Sequence, residues 1–220
     1  MSSATLLVWQ LADSAFPTGG FAHSAGLEAA WQQGEIEDRA ALRRFARASL
    51  LQAGYGVLPL VNATFRAPAR LAELDALADV FLLNPIANRA SRVQGRALAA
   101  TCSRVWPSTA LSDLEARIRA GHAHLAPTTA VVLRQLSVPL STIQTLVLFV
   151  TARTVFSAAV RLGIVGSYDA QRLQFEANTD IDDVLARCGQ LDEHDLAQPS
   201  PILDLVHATH DRLYSRLFQS

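Results

Sequence analysis

Residues 141–162 read STIQTLVLFVTARTVFSAAVRL. On a 3.6-residue spiral Ile143, Leu146, Val147, Val150, Val155 and Phe156 spread over nearly every face, and a helix that is apolar all round must be covered all round. The stretch therefore predicts a central helix with other helices packed about it. Its richest apolar run, Leu146 to Val150, falls far short of the roughly 20 residues a membrane span requires. No transmembrane segment is expected.

Working upstream, Asn84-Pro85 pairs an N-cap residue with a first-turn proline and predicts a helix from about Pro85 to Val105. Leu71, Leu74, Leu77, Ala78 and Phe81 form one apolar stripe that closes before Asn84. Asp38 is placed to cap a helix carrying Leu42, Phe45, Ala46, Leu50 and Ala53 and ended by Gly54-Tyr55-Gly56, and Pro59 suits the start of the next. Ser112-Asp113-Leu114-Glu115 has capping-box spacing, with Gly121 as a stop. Downstream, helices are expected over Tyr168 to Thr179 and Ile181 to Cys188. A polar, acidic surface loop then runs from Leu191 to Pro201, and a last helix from about Ile202 to Phe218. Strand-type alternation is hard to find, and neither an internal repeat nor a low-complexity linker interrupts the pattern. Residues 1–220 thus read as one all-α domain, a helical bundle of about ten helices around the central apolar one.

Composition narrows the function. All 19 basic residues are arginine. Without lysine the chain cannot build a P-loop, a pyridoxal-phosphate Schiff base or the strand lysine of a kinase. Twenty acidic residues leave a formal charge of −1, and with no basic run this argues against nucleic acid as a partner. Cys102 and Cys188 are too few and too far apart for a disulfide framework or a thiolate zinc site, which suits a reduced, cytoplasmic setting. No basic segment precedes Leu6 and Gln10 breaks the apolar stretch from Leu6 to Ala12, so no secretory signal is expected. Half of the residues are hydrophobic and only 18% are charged, against about 25% charged in a typical soluble domain. The surplus must be covered by a large core or by protein partners.

Three stretches carry candidate chemistry. The first is DSAFPTGGFAHSAGLE, residues 13–28, where Gly19-Gly20 makes a turn and Ser24 sits in a loose variant of the hydrolase nucleophile elbow. Its plainer reading is a turn and a helix start. The second is Asp204, His207, His210 and Asp211 on adjoining faces of the last helix. His207 and His210 have the i, i+3 separation that suits nickel or zinc, while the plainer reading is a solvated or ion-paired face. His122 and His124, flanking Ala123, read as part of a polar loop. In the third, NRASRVQGR (88–96), Arg89, Arg92 and Arg96 share a helix stripe whose guanidinium forks suit carboxylates or phosphates across an interface, or intramolecular pairs. Gly95 in mid-helix costs roughly 1 kcal/mol relative to Ala, and a close approach of another segment would explain it.

Residues 11–28, LADSAFPTGGFAHSAGLE, resemble the opening signature of the UreF family of urease accessory proteins. RASRVQGRAL (89–98), SAAVRLG (157–163) and HDRLYSRLFQS (210–220) are similar to further family stretches in the same order, whereas residues 104–138 match poorly. The resemblance implies an all-α protein without catalysis or cofactor of its own, which joins UreD (also called UreH) and recruits the GTPase UreG. That assembly delivers nickel to apo-urease, with this subunit as a homodimer. It further implies that Tyr214, Ser215, Arg216, Leu217 and Phe218 support docking, and that the loop with Phe16, Pro17, Gly19, Gly20, His23, Ser24 and Glu28 helps present the surface the GTPase meets. Arg89, Arg92, Gln94 and Arg161 complete the expected partner-binding set. A nickel-binding chaperone acting through His207 and His210, and a serine hydrolase using Ser24, are the alternatives.

Overall fold

The structure is a computed structural model that describes residues 3–220. Its helix boundaries follow from local capping chemistry. After α1 (Ser3–Ala12) and α2 (Leu27–Gln32), the Asp38 side chain accepts a hydrogen bond from the Ala41 amide and opens α3 (Arg39–Gly56). Pro59 lies in the first turn of α4 (Leu58–Arg66), followed by α5 (Leu71–Phe81). Asn84 Oδ1 accepts from the amides of Ile86 and Ala87 and Pro85 takes the first position of α6 (Pro85–Val105), as the dipeptide predicts. The remaining helices are α7 (Thr109–Ala120), α8 (Leu125–Gln135), α9 (Leu140–Arg161), α10 (Ser167–Cys188) and α11 (Pro201–Ala208). Among the described residues there is no strand.

The central helix is α9, against which α1, α2, α3, α4, α8 and α10 all pack. Its two ends serve different cores. Ile143 and Leu146 join residues of α4 to α8, such as Val61, Leu98 and Val132. Leu148, Ala152, Val155 and Phe156 join Leu42, Leu50, Leu173 and Ile181 of α3 and α10. By length and composition alone α9 would suffice to cross a membrane; here Ile143, Leu146, Leu148, Val155 and Phe156 are buried among the helices around it, while Val147, Phe149 and Val150 are half-buried. Fully burying a Leu or Val side chain stabilises by roughly 1.5–3 kcal/mol, so the two clusters supply most of the driving force that fixes α9.

The α6–α8 contact rests on Gly95. A Cβ there would lie 2.0 Å from the carbonyl oxygen of Ala123, so the loop before α8 crosses α6 where only glycine leaves room. The close approach expected from the sequence is made by this loop.

Three boundaries differ from expectation. Residues 167–188 form one continuous helix rather than two, and Asp180, which falls between the two expected segments, pairs with Arg47 of α3 at 3.4 Å. The N-cap of α7 lies four residues before the capping-box serine: Ser108 accepts from the Leu111 amide. Pro107 disfavours helical backbone at Trp106, and the first side chain able to cap after it is Ser108. The last helix stops at Ala208; a 3-10 turn over His210–Arg212 follows, and residues 213–220 leave helical geometry.

Candidate functional site

The non-helical tail exists because other parts of the chain claim its backbone. Glu28, in the first turn of α2 and only 2% exposed, accepts from the amides of Leu217 (2.6 Å) and Phe218 (3.1 Å). The Ser24 amide and hydroxyl both donate to the Ser220 carbonyl, and His23 Nδ1 shares a 2.6 Å hydrogen bond with Ser220 Oγ. The Gln219 amide donates to Ala22, Gln32 Nε2 to the Ser215 carbonyl, and His210 Nε2 approaches the Phe218 carbonyl at 3.2 Å. Residues 22–32 thus form a clamp, and residues 215–220 are what it holds. Gly19 enters that loop at φ +76°, left-handed backbone that favours glycine.

Aromatic and charged side chains close the clamp. Phe218 is 5% exposed and joins the α3–α9–α10 core. Arg161, from the last turn of α9, stands over both Phe218 and Phe21, its guanidinium carbon 4.1 and 3.9 Å from the ring centres. Such cation–π contacts contribute about 0.5–1 kcal/mol each at exposed sites. Asp211 accepts from Arg89 of α6 and from Arg216 of the tail (2.9 Å), and the Arg89 hydrogen bond is the main reason its carboxyl titrates below the usual range. Phe16 stacks on Trp106 at 5.7 Å, the Pro17 carbonyl accepts from Thr101, and Gly20 sits against Gln94.

Nearly all of the expected partner-binding residues therefore meet in one region, but in two classes. Phe16, His23, Ser24, Glu28 and Phe218 are buried and act on the chain itself. Tyr214, Ser215, Arg216 and Leu217 are exposed, Tyr214 completely, as is the neighbouring Phe21, which is not among the expected residues. Arg92 lies apart from the clamp, donating to the His122 carbonyl. With Arg89 and Arg96 it lines an open groove of about 490 Å³ that also exposes Leu83 and Val93.

The histidines behave differently from a solvated face. His210 is fully buried, 3.9 Å from Glu28, and His207 packs against Gly26. His23 Nε2, His207 Nε2 and His210 Nδ1 are buried without hydrogen-bond partners. Burial pushes the His207 imidazole down to about 4, with His210 and His23 adding to the effect, and burial likewise lowers His23. Among the described residues, no three His, Cys, Asp or Glu side chains gather as a metal-ligand set. His124, expected in a polar loop, is also fully buried. It bonds Asp79 and Ser91, while Asp75 accepts from the amides of Ala123 and His124.

The hydrolase alternative fails on geometry. An elbow needs a strand before its serine; the described residues contain none, and the hydroxyl of Ser24 is committed to the tail. What the site does chemically is to order a peptide segment and display its outer face. Sequence reasoning missed Gln219 and Ser220 as clamped residues, and it passed over Arg153. That arginine is a lone cation amid the apolar run of α9, which was signal enough.

Comparison with known proteins identifies the chain's relatives. Residues 36–178, more than half of the chain, match the UreF family model. Urease accessory protein F of Oryza sativa subsp. indica is 34% identical over 216 residues, covering 96% of this chain and 83% of its own length. The Arabidopsis thaliana protein of the same name is 34% identical over 218 residues, covering 96% and 91%. Urease accessory protein UreF of Arthrobacter sp. (strain FB24) is 34% identical over 221 residues, covering 99% and 98%. With helices throughout, a clamped tail and this degree of identity along nearly its whole length, the chain belongs to the UreF family of urease accessory proteins.

Proposed function

We propose that this protein is a non-catalytic scaffold of urease maturation, which binds UreD (UreH), recruits the GTPase UreG and so serves nickel insertion into apo-urease. Family membership supports the setting, and the clamped tail supports the role. Tyr214 is fully exposed while its neighbours on both sides are tied down through Asp211, Glu28 and Ser24. A large aromatic held out from an ordered segment is suited to a partner's pocket, since aromatic anchors dominate interface energetics. The whole chain acts as one unit because α9 serves both cores, and a homodimer of it is the form that accepts the GTPase. It works in the cytoplasm, where apo-urease is matured.

The test is co-purification with UreD and UreG. A chain truncated before Tyr214 is expected to lose both partners, and Tyr214→Ala to weaken UreD recovery while leaving the urea midpoint within about 0.5 kcal/mol of the parent, as for a surface substitution. Unchanged recovery of both partners by the truncated chain would overturn the scaffold reading.

A further inference from the structure

Arg153 and Arg161 stand eight residues apart on α9, with Ser157 four residues from each, so the three share one helix stripe. Together with Ser14, His23 and Thr154 they line a cavity of about 30 Å³ between α9, the residue 13–23 loop and Phe218. That is room for one small polar group. Arg153 gives Nη1 to the Ala12 carbonyl and Arg161 gives Nη1 to the Phe21 carbonyl. A guanidinium carries five N–H donors, and the remaining donors of both have no acceptor among the described residues.

Neither arginine is matched by a carboxylate. Every ion pair among the described residues involves other cations, the nearest in sequence being Arg172, which pairs with Asp169. Burial disfavours the charged form of Arg153 and lowers its pKa, with Asp13 offsetting this from a distance. His23 is 7% exposed, lines the same cavity and has a buried Nε2 without a partner. Partly burying two cations with no ion-pair partner, and with Asp13 acting on Arg153 only from a distance, costs free energy that a bound anion would recover.

We propose that this cavity is a binding site for a small oxyanion, with a carboxylate group as its ligand. The two guanidinium groups supply charge and N–H donors, the Ser157 hydroxyl donates from between them, and the His23 ring completes the wall. The carboxylate comes either from a small acid in solution or from an Asp or Glu side chain of a docked protein. The chemistry of recognition is the same for both.

The experiment follows the Arg153 and Arg161 Nε–Hε resonances of 15N-labelled full-length protein during titration with sodium formate. A second titration uses N-acetylglutamate amide, and sodium chloride at matched ionic strength is the control. Saturable shifts at both arginines with formate, absent with chloride, are expected. Ser157→Asp places a carboxylate one helical turn from each guanidinium; it is expected to raise the melting temperature and to weaken formate binding at least about tenfold. Equal or tighter binding of formate assigns the site to free acids. Binding of N-acetylglutamate amide about tenfold tighter assigns it to a protein side chain. No saturable shift with either compound, or a Ser157→Asp chain that responds like the parent, would overturn the proposal.

Discussion

Replacing Glu28 with Gln should unlatch the tail. The Glu28 carboxylate accepts two backbone amides, from Leu217 at 2.6 Å and Phe218 at 3.1 Å, in a site where it is 2% exposed. Hydrogen bonds to a charged group contribute about 1.5–3 kcal/mol each. Gln keeps one acceptor oxygen, so one bond survives in weaker, neutral form, while the other amide faces an NH2 group and is left unsatisfied. The net cost is about 2–3 kcal/mol, which at 1.4 kcal/mol per decade raises the open fraction of the tail roughly 30- to 150-fold. Native-state hydrogen exchange reads this directly. Amides of Leu217 and Phe218, and of Ser24, which donates to Ser220, should exchange faster by that factor. Amides of Leu173 and Ala177 inside α10 should keep their rates, because Glu28 touches nothing there. An increase of less than about twofold at Leu217 and Phe218 would show that Glu28 does not hold the tail, since even one neutral hydrogen bond at the low end of its range, about 0.5 kcal/mol, exceeds that.

Two further outcomes follow from packing and burial. Gly95→Ala adds a better helix former, a gain of about 1 kcal/mol in an open helix, yet its Cβ would lie 2.0 Å from the Ala123 carbonyl oxygen. Urea denaturation should show a net loss of about 2 kcal/mol or more, and a gain in stability would refute the close approach. Stability should also fall with acid through His207, whose imidazole is held down at about 4 by burial and by His210 and His23. The unfolded chain takes up its proton near 6.5 and the folded chain only near 4, so the contribution is complete above about pH 6.5 and is lost as pH falls toward about 4. That loss is about 3 kcal/mol by linkage. His207→Gln should flatten the dependence of the urea midpoint on pH across this window; an unchanged slope would assign the acid sensitivity elsewhere.

Helix positions were legible wherever the signal was local. Asp38, Asn84-Pro85 and Gly121 each act on amides or carbonyls within a few residues, and each boundary stands where the sequence puts it. The central helix was legible because covering an all-round apolar segment leaves few alternatives. Misreadings came from long-range partners. Asp180 falls between the two expected segments, and its partner, Arg47, lies far upstream. The tail keeps helical periodicity as far as Phe218, but Glu28, 190 residues away in sequence, takes the amide that a continued helix would have used. His124 reads as a loop residue until Asp75 is seen to cap its backbone from within the apolar face of α5. That carboxylate on an otherwise apolar stripe was the overlooked signal.

A family signature mixes residues that touch a partner with residues that shape what touches it, and burial separates the two. Glu28, Ser24 and His23 are too enclosed to reach another protein, whereas Tyr214 makes no contact that folding would require. On the proposed reading, partner affinity is coupled to the latch. If partners take only the docked tail, apparent affinity falls in proportion to the docked fraction. A latch worth more than the 2–3 kcal/mol removed by Glu28→Gln leaves the tail mostly docked, so exchange at Leu217 rises while recovery of UreD barely changes. A latch worth less makes both readouts move together. Measuring exchange and co-purification on the same variant therefore gives the stability of the docked tail as well as its necessity, and Tyr214→Ala, which removes the displayed side chain without loosening the clamp, should move co-purification alone.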